Sequence, residues 1–209
     1  MGHVVLLGDS IFDNARYVPD RPPVIEQLRR SLPTGWRASL LAADGAVVED
    51  VRSQVANLPG DATHLFVSAG GNDGLGEITI LGESVSSVAE ALELLRGVQA
   101  RFHDEYRKML KTLCAVGKPA AVCTIYDAIP GLGPAEQAAV AVFNDVILRE
   151  AFRAGVPVID LRFVCDQPED YSPLSSIEPS LAGSSKIART IAELATSHDF
   201  DSRRTVIYS

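Results

Sequence analysis

The chain's 209 residues, 46% of them hydrophobic and 22% charged, suffice for one sizeable buried core and lie far from the composition of a disordered segment. A formal net charge of −8, with no run of lysine or arginine, offers nothing to a phosphate backbone or an anionic bilayer, so neither nucleic acid nor a membrane is expected as a partner. No stretch is apolar for long enough to span a bilayer, Met1 leads into strand-like residues with no leader pattern, and Cys114, Cys123 and Cys165 lack the spacing of a zinc site or disulfide framework; together these read as a cytoplasmic, reducing setting.

In chain order, a strand is predicted over Val4–Leu7, a helix over Pro23–Ser31, a strand over Ala38–Leu41 and a helix over Val47–Asn57. A strand over His64–Ser68 and a long helix over Ser84–Ala115 follow, the helix stopped by Gly117-Lys118-Pro119. Next come a strand over Ala120–Thr124, a helix over Pro134–Ala154 opened by Gly133-Pro134 and closed by Gly155, a strand over Val156–Ile159, and a last helix near Gly183–Ser197. The tail Asp199–Ser209 is polar and reads as loosely held.

Strands alternating with helices mark an α/β chain, a parallel sheet covered on both faces in three layers, here as one domain over residues 1–209. Right-handed crossovers favour a flavodoxin-like five-stranded sheet of order 2-1-3-4-5, whose switch point lies between strands one and three. Ligands of such sheets bind beyond the carboxyl ends of the strands at that crevice, so the loops after Leu7 and Ser68 are where chemistry is expected.

After the first strand, Gly8-Asp9-Ser10-Ile11 puts the Ser10 hydroxyl at the mouth of the sheet, placed either as a nucleophile with its N–H near a helix start or as a simple helix cap. After the second, Ala43-Asp44-Gly45-Ala46 leaves the Gly45 N–H uncovered by any side chain, though a plain turn glycine reads the same way. After the third, Gly70-Gly71-Asn72-Asp73 lets backbone approach a ligand while Asn72 offers an amide N–H₂, and here too a turn is the bland alternative. All three sites fall after consecutive strands on one edge of the sheet. Asp13, Asn14, Asp73, Tyr126, Asp127, Asp166 and Asp170 also lie near strand ends, but they lack a recognisable ligand spacing, and neither a metal nor any other cofactor is expected.

This order of blocks resembles the SGNH (GDSL-type) hydrolases, with a Gly-Asp-Ser serine, a lone glycine, a Gly-x-Asn-Asp asparagine and a late Asp-x-x-His. The resemblance implies Ser10 as nucleophile and an oxyanion hole made of its own N–H, the Gly45 N–H and the Asn72 side chain. The late block departs. In Ser175-Ser176-Ile177-Glu178-Pro179-Ser180-Leu181-Ala182-Gly183 the Ile-x-Pro-Ser-x-x-Gly frame is kept, but Ser175 stands where the family's aspartate would be and Glu178 where its histidine would be. His3 and His64 begin strands and so sit at the far edge of the sheet, His103 lies inside a helix and His198 follows the last one, so none is placed to substitute.

Two readings of Glu178 follow. It crosses about 14 Å, three strand spacings, to act as the base toward Ser10 in a slow serine ester hydrolase working on a small ester or acyl substrate. Or it caps the last helix beside Pro179, and the chain is a non-catalytic module that holds a small anionic or carbohydrate ligand. The substrate's acyl and leaving groups and the oligomeric state are not legible.

Overall fold

In the computed structural model, which describes residues 1–202 and 204–209, the strands of the main sheet are β1 (His3–Gly8), β2 (Arg37–Leu40), β3 (His64–Ser68), β4 (Ala120–Cys123), β5 (Val158–Ile159) and, last in the chain, β8 (Ile207–Tyr208). They are all parallel and run in the order β2-β1-β3-β4-β5-β8. The expected order of the first five holds, and the sheet has six strands instead of five. The added strand lies in the tail that reads as loose. The Val158 and Asp160 N–H groups donate to the Val206 and Tyr208 carbonyls at 2.9 and 2.8 Å, and His198 Nδ1 lies 3.1 Å from the Tyr208 hydroxyl. A strand of two residues carries no periodicity for a sequence to display.

Alternation along the strands sorts the core into two halves. Val4, Leu6, Phe66, Cys123 and Ile159 face one side, packed against Leu28 of α1 (Val24–Ser31) and against Ile187, Ile191 and Leu194 of the last helix, α7 (Leu181–Ser197). Val5, Leu7, Val67, Val122 and Val158 face the other. There they meet Val51 of α2 (Asp50–Ala56), Phe102, Tyr106 and Met109 of α4 (Val88–Ala115) and Ile147 of α5 (Pro134–Ala154). Pro134 opens α5 at its first turn, and Gly155, at φ +66°, closes it in the left-handed conformation that glycine adopts without strain.

Two stretches depart from expectation near the crevice. The long helix begins later than Ser84, because Ser87 is extended and accepts the Glu90 N–H as a cap. Ahead of it lie a short helix α3 (Gly71–Gly76), whose three glycines hide it from propensity, and a 3₁₀ turn over Ile78–Gly82. Past β5, the stretch expected as a loop holds α6 (Leu161–Val164) and an antiparallel hairpin of β6 (Tyr171–Ser172) and β7 (Ser175–Pro179), which leads into α7. No helix among the described residues is long and apolar enough to cross a membrane.

Candidate active site

Strand β1 ends at Gly8, where φ is +112° and a Cβ would stand 1.7 Å from the Ser68 carbonyl oxygen. Only glycine permits that approach of β1 to β3. Its backbone is clamped by the buried side chain of Gln54, whose Oε1 accepts the Gly8 N–H at 2.6 Å and whose Nε2 donates to the Gly8 carbonyl at 2.9 Å. Nothing in a motif marks Gln54 in the sequence. Its trace there is a polar residue three positions after Val51, on the helix face that packs inward.

The chain then turns. The Phe12 and Asp13 N–H groups both donate to the Asp9 carbonyl, so Ser10 sits in a turn and starts no helix; neither the helix-start nor the helix-cap expectation for it holds. The Ser10 hydroxyl instead donates to Glu178 Oε1 at 2.8 Å, across 168 positions of sequence. No acceptor for the Ser10 or Gly45 N–H is present among the described residues. The buried Asp9 carboxylate accepts the Ile11 N–H at 3.2 Å, and loss of water drives its pKa up to about 7 against that bond.

Glu178 lies in β7 and is 3% exposed. It does not cap α7: the cap is Ser180, whose hydroxyl accepts the Ala182 and Gly183 N–H groups. Burial pushes the Glu178 carboxyl up to about 7, with Asp44 and Asp13 adding to the rise and the Ser10 hydrogen bond opposing it. Its second oxygen, Oε2, is buried and has no hydrogen-bond partner among the described residues. The carbonyls on either side of Glu178 are held from other elements. Ile177 O accepts the Tyr126 hydroxyl at 2.5 Å, and Pro179 O accepts Asn14 Nδ2 at 3.2 Å. Asn14 also donates to Ser184 Oγ at 2.7 Å and accepts the Val24 N–H at 3.0 Å.

Asn72 donates through Nδ2 to the Ala46 carbonyl at 2.9 Å, and Asp73 accepts the Val48 N–H at 3.1 Å, which stitches α3 to the loop after β2. One hydrogen of the Asn72 amide remains for another acceptor. Gly45 stands beside Ala46 at φ +81°, and a Cβ there would meet nothing within 4 Å. Ser10, Asn72 and Glu178 line one cleft with Asp9, Ile78, Leu95 and Phe143; Gly45 is not part of its lining. The cleft holds about 1050 Å³ of space, part of it open to solvent.

A family model described as GDSL-like lipase/acylhydrolase matches residues 6–185. The chain belongs to this family. No curated protein sequence matches it. Among solved structures, an extracellular lipase from Streptomyces rimosus is 19% identical with a TM-score of 0.69, over 94% of this chain and 100% of that one. A lipase from a goat rumen metagenome is 15% identical with a TM-score of 0.73, over 96% and 100%. A phospholipase A1 from Streptomyces albidoflavus is 18% identical with a TM-score of 0.64, over 88% and 95%. At these identities the likeness is one of fold.

Within this GDSL-family chain the histidines lie elsewhere. His3 sits between Asp61 and Ser39, His64 packs against Trp36 and Phe200, His103 meets Glu150 at 2.6 Å, and His198 meets Tyr208. No histidine lines the cleft that holds Ser10.

Proposed function

We propose that this GDSL-family chain is a serine ester hydrolase in which Glu178 takes the role of base toward Ser10. The observation that carries the reading is the 2.8 Å hydrogen bond from the Ser10 hydroxyl to a buried carboxylate whose pKa stands at about 7. A glutamate at its ordinary pKa is a weak base; one raised to about 7 accepts a proton with far less driving force against it, while much of it remains ionised near neutrality.

In the proposed reaction Ser10 Oγ bonds to the ester carbonyl carbon as its proton passes to Glu178 Oε1, and the carbonyl π pair moves onto oxygen. The Ser10 N–H and the second hydrogen of the Asn72 amide, both on the cleft wall, are the donors assigned to that oxyanion; Gly45, the third donor expected from the sequence, lies outside the lining. The C–O bond to the leaving alcohol then breaks, and the alkoxide takes the proton from Glu178. Water repeats the sequence on the acyl-serine and releases the acid. Ser175 stands where the family has an aspartate, but a carboxylate base has no tautomer to be set, so the second partner of a histidine triad has no role here.

The test is labelling with a serine-directed fluorophosphonate followed by peptide mapping, together with hydrolysis of a neutral aryl ester. Label at Ser10, lost together with hydrolysis in Ser10→Ala, is the expected result. A folded protein that takes no label and turns over no ester would instead be a non-catalytic binding module.

A further inference from the structure

Away from β7 the cleft is walled by apolar side chains from three helices. Leu75 of α3 and Ile78 just after it, Leu95 of α4, and Val140 and Phe143 of α5 line it. All but Phe143 keep surface open to solvent, Leu75 and Ile78 at 43% and 45% exposed, so a ligand can reach this wall. Phe143 is buried and held by Phe102, with ring centres 4.7 Å apart. The cleft lining also includes the carboxyls of Asp9, Glu77, Glu136 and Glu178 and, among the described residues, no lysine, arginine or histidine.

Gly74 stands in the middle of this wall. Its N–H donates to the Gly70 carbonyl at 3.0 Å, and its φ lies outside the left-handed range, so the backbone has no need of glycine here. Glycine also weakens a helix relative to alanine, so α3 gains nothing locally from it. What a side chain would change is space. A Cβ at Gly74 would meet Cε2 and Cζ of Phe143 at 3.7 Å, an ordinary contact, and a longer side chain would extend over the ring into the cleft that both residues line.

Resting on the assignment of Ser10 and Glu178 as nucleophile and base, the substituents of the attacked carbon can be placed. Ser10 Oγ is one, the oxyanion faces the Ser10 N–H and the Asn72 amide, and the leaving oxygen takes its proton from Glu178 and so lies on the β7 side. The acyl substituent takes the remaining direction, toward α3, α4 and α5. We propose that this wall receives a straight, uncharged aliphatic acyl chain, and that Gly74 sets the specificity by keeping the chain's path over Phe143 open. Methylenes buried against Leu95, Val140 and Phe143 supply the binding, and the chain keeps those contacts in the acyl-serine after the alcohol has left. An acetyl group has no methylene to bury. A chain ending in a carboxylate or phosphate meets four carboxyls and no lining cation, and is the disfavoured class.

The test is a series of p-nitrophenyl acetate, butanoate and hexanoate, each below its solubility limit, so that only the acyl chain varies. The expected kcat/KM rises about threefold per methylene, on the order of a hundredfold from acetate to hexanoate. In Gly74→Leu that ratio should collapse to within about a few-fold, and in Gly74→Ala, whose methyl makes only ordinary contact with Phe143, it should fall by a smaller step. Cooperative thermal melts report that each variant is folded, and the alanine variant decides if the leucine one is not. Calorimetry of 1-hexanol with the Ser10→Ala protein reads the wall without turnover, and adding Gly74→Leu should weaken that binding on the order of tenfold. A flat acyl series, or a hexanoate preference and hexanol affinity unchanged in the folded Gly74 variants, overturns the proposal. A protein that takes no fluorophosphonate label on Ser10 fails as a hydrolase, and hexanol binding then decides the wall by itself.

Discussion

Glu178 gives up hydration to meet Ser10, and the loss appears in its titration: a carboxyl of ordinary value 4.5 stands at about 7 when folded, and Asp9 is raised from 3.8 to about 7 by its own burial. In the window from about 4.5 to about 7 the folded chain therefore binds more protons than the unfolded one, so these two groups stabilise the fold at low pH and that contribution is lost as pH rises through about 7. Activity runs the opposite way, because the base must be ionised. The expected outcome is a kcat/KM that climbs through about pH 7 while this part of the thermal stability declines over the same range. Glu178→Gln should cost on the order of 10² to 10⁴ in rate. In thermal melts at pH 8 it should be more stable than the parent, because it no longer buries a charge; a variant equally active and equally stable would detach the carboxylate from both roles.

At the scale of elements, the strand that carries Glu178 has only five residues and pairs with a two-residue partner, so it depends on side chains from elsewhere to hold its place. Tyr126, in the loop after β4, and Asn14, in the loop after β1, hold the carbonyls on either side of the glutamate. Tyr126→Phe leaves the Ile177 carbonyl without its partner, and kcat is expected to fall about tenfold with KM little changed, since the loss is in alignment of the base. Steady-state kinetics on one neutral aryl ester separates the two parameters. Asn14→Ala removes three buried hydrogen bonds at once and is expected to cost about 3 kcal/mol or more in urea denaturation, because partners on α7 and at the start of α1 are left unsatisfied. Gly8→Ala is the severe case at this scale. Its methyl would fall 1.7 Å from the Ser68 carbonyl in the strand pair β1–β3, and soluble, folded protein is not expected from expression trials.

For the molecule as a whole, the sheet separates the site from the edge strand β8. Strand β8 lies four strand spacings from β1, about 19 Å across the sheet, beyond direct contact with Ser10. Deleting residues 206–209 removes the carbonyls that accept the Val158 and Asp160 N–H groups and exposes the β5 edge, so the melting temperature should drop. Fluorophosphonate labelling at Ser10 should persist below that temperature. Loss of label in a shortened chain that still melts cooperatively would show that the far edge reaches the site after all.

Composition, strand periodicity and glycine-bounded turns were enough to determine the α/β class, the order of the first five strands, and a crevice after the first and third of them, because each of these follows from local patterns repeated along the chain. Ser10, Asn72 and Glu178 could be named because each stands in a short block that resembles a block of the SGNH hydrolases; local pattern by itself left a cap or a turn open at each. The partner of Glu178 could not be read that way. A helix-capping carboxylate beside Pro179 and a carboxylate bound to Ser10 have the same sequence, and only the placement of strand β7, held by Tyr126 and Asn14 from loops 51 and 165 positions away, decides between them. The same holds for the Gln54 clamp, for the burial of Glu178 Oε2 without a partner among the described residues and for the two-residue strand β8. Each is made by groups far apart in the chain, and water exclusion and hydrogen-bond pairing exist only once the tertiary fold has brought them together.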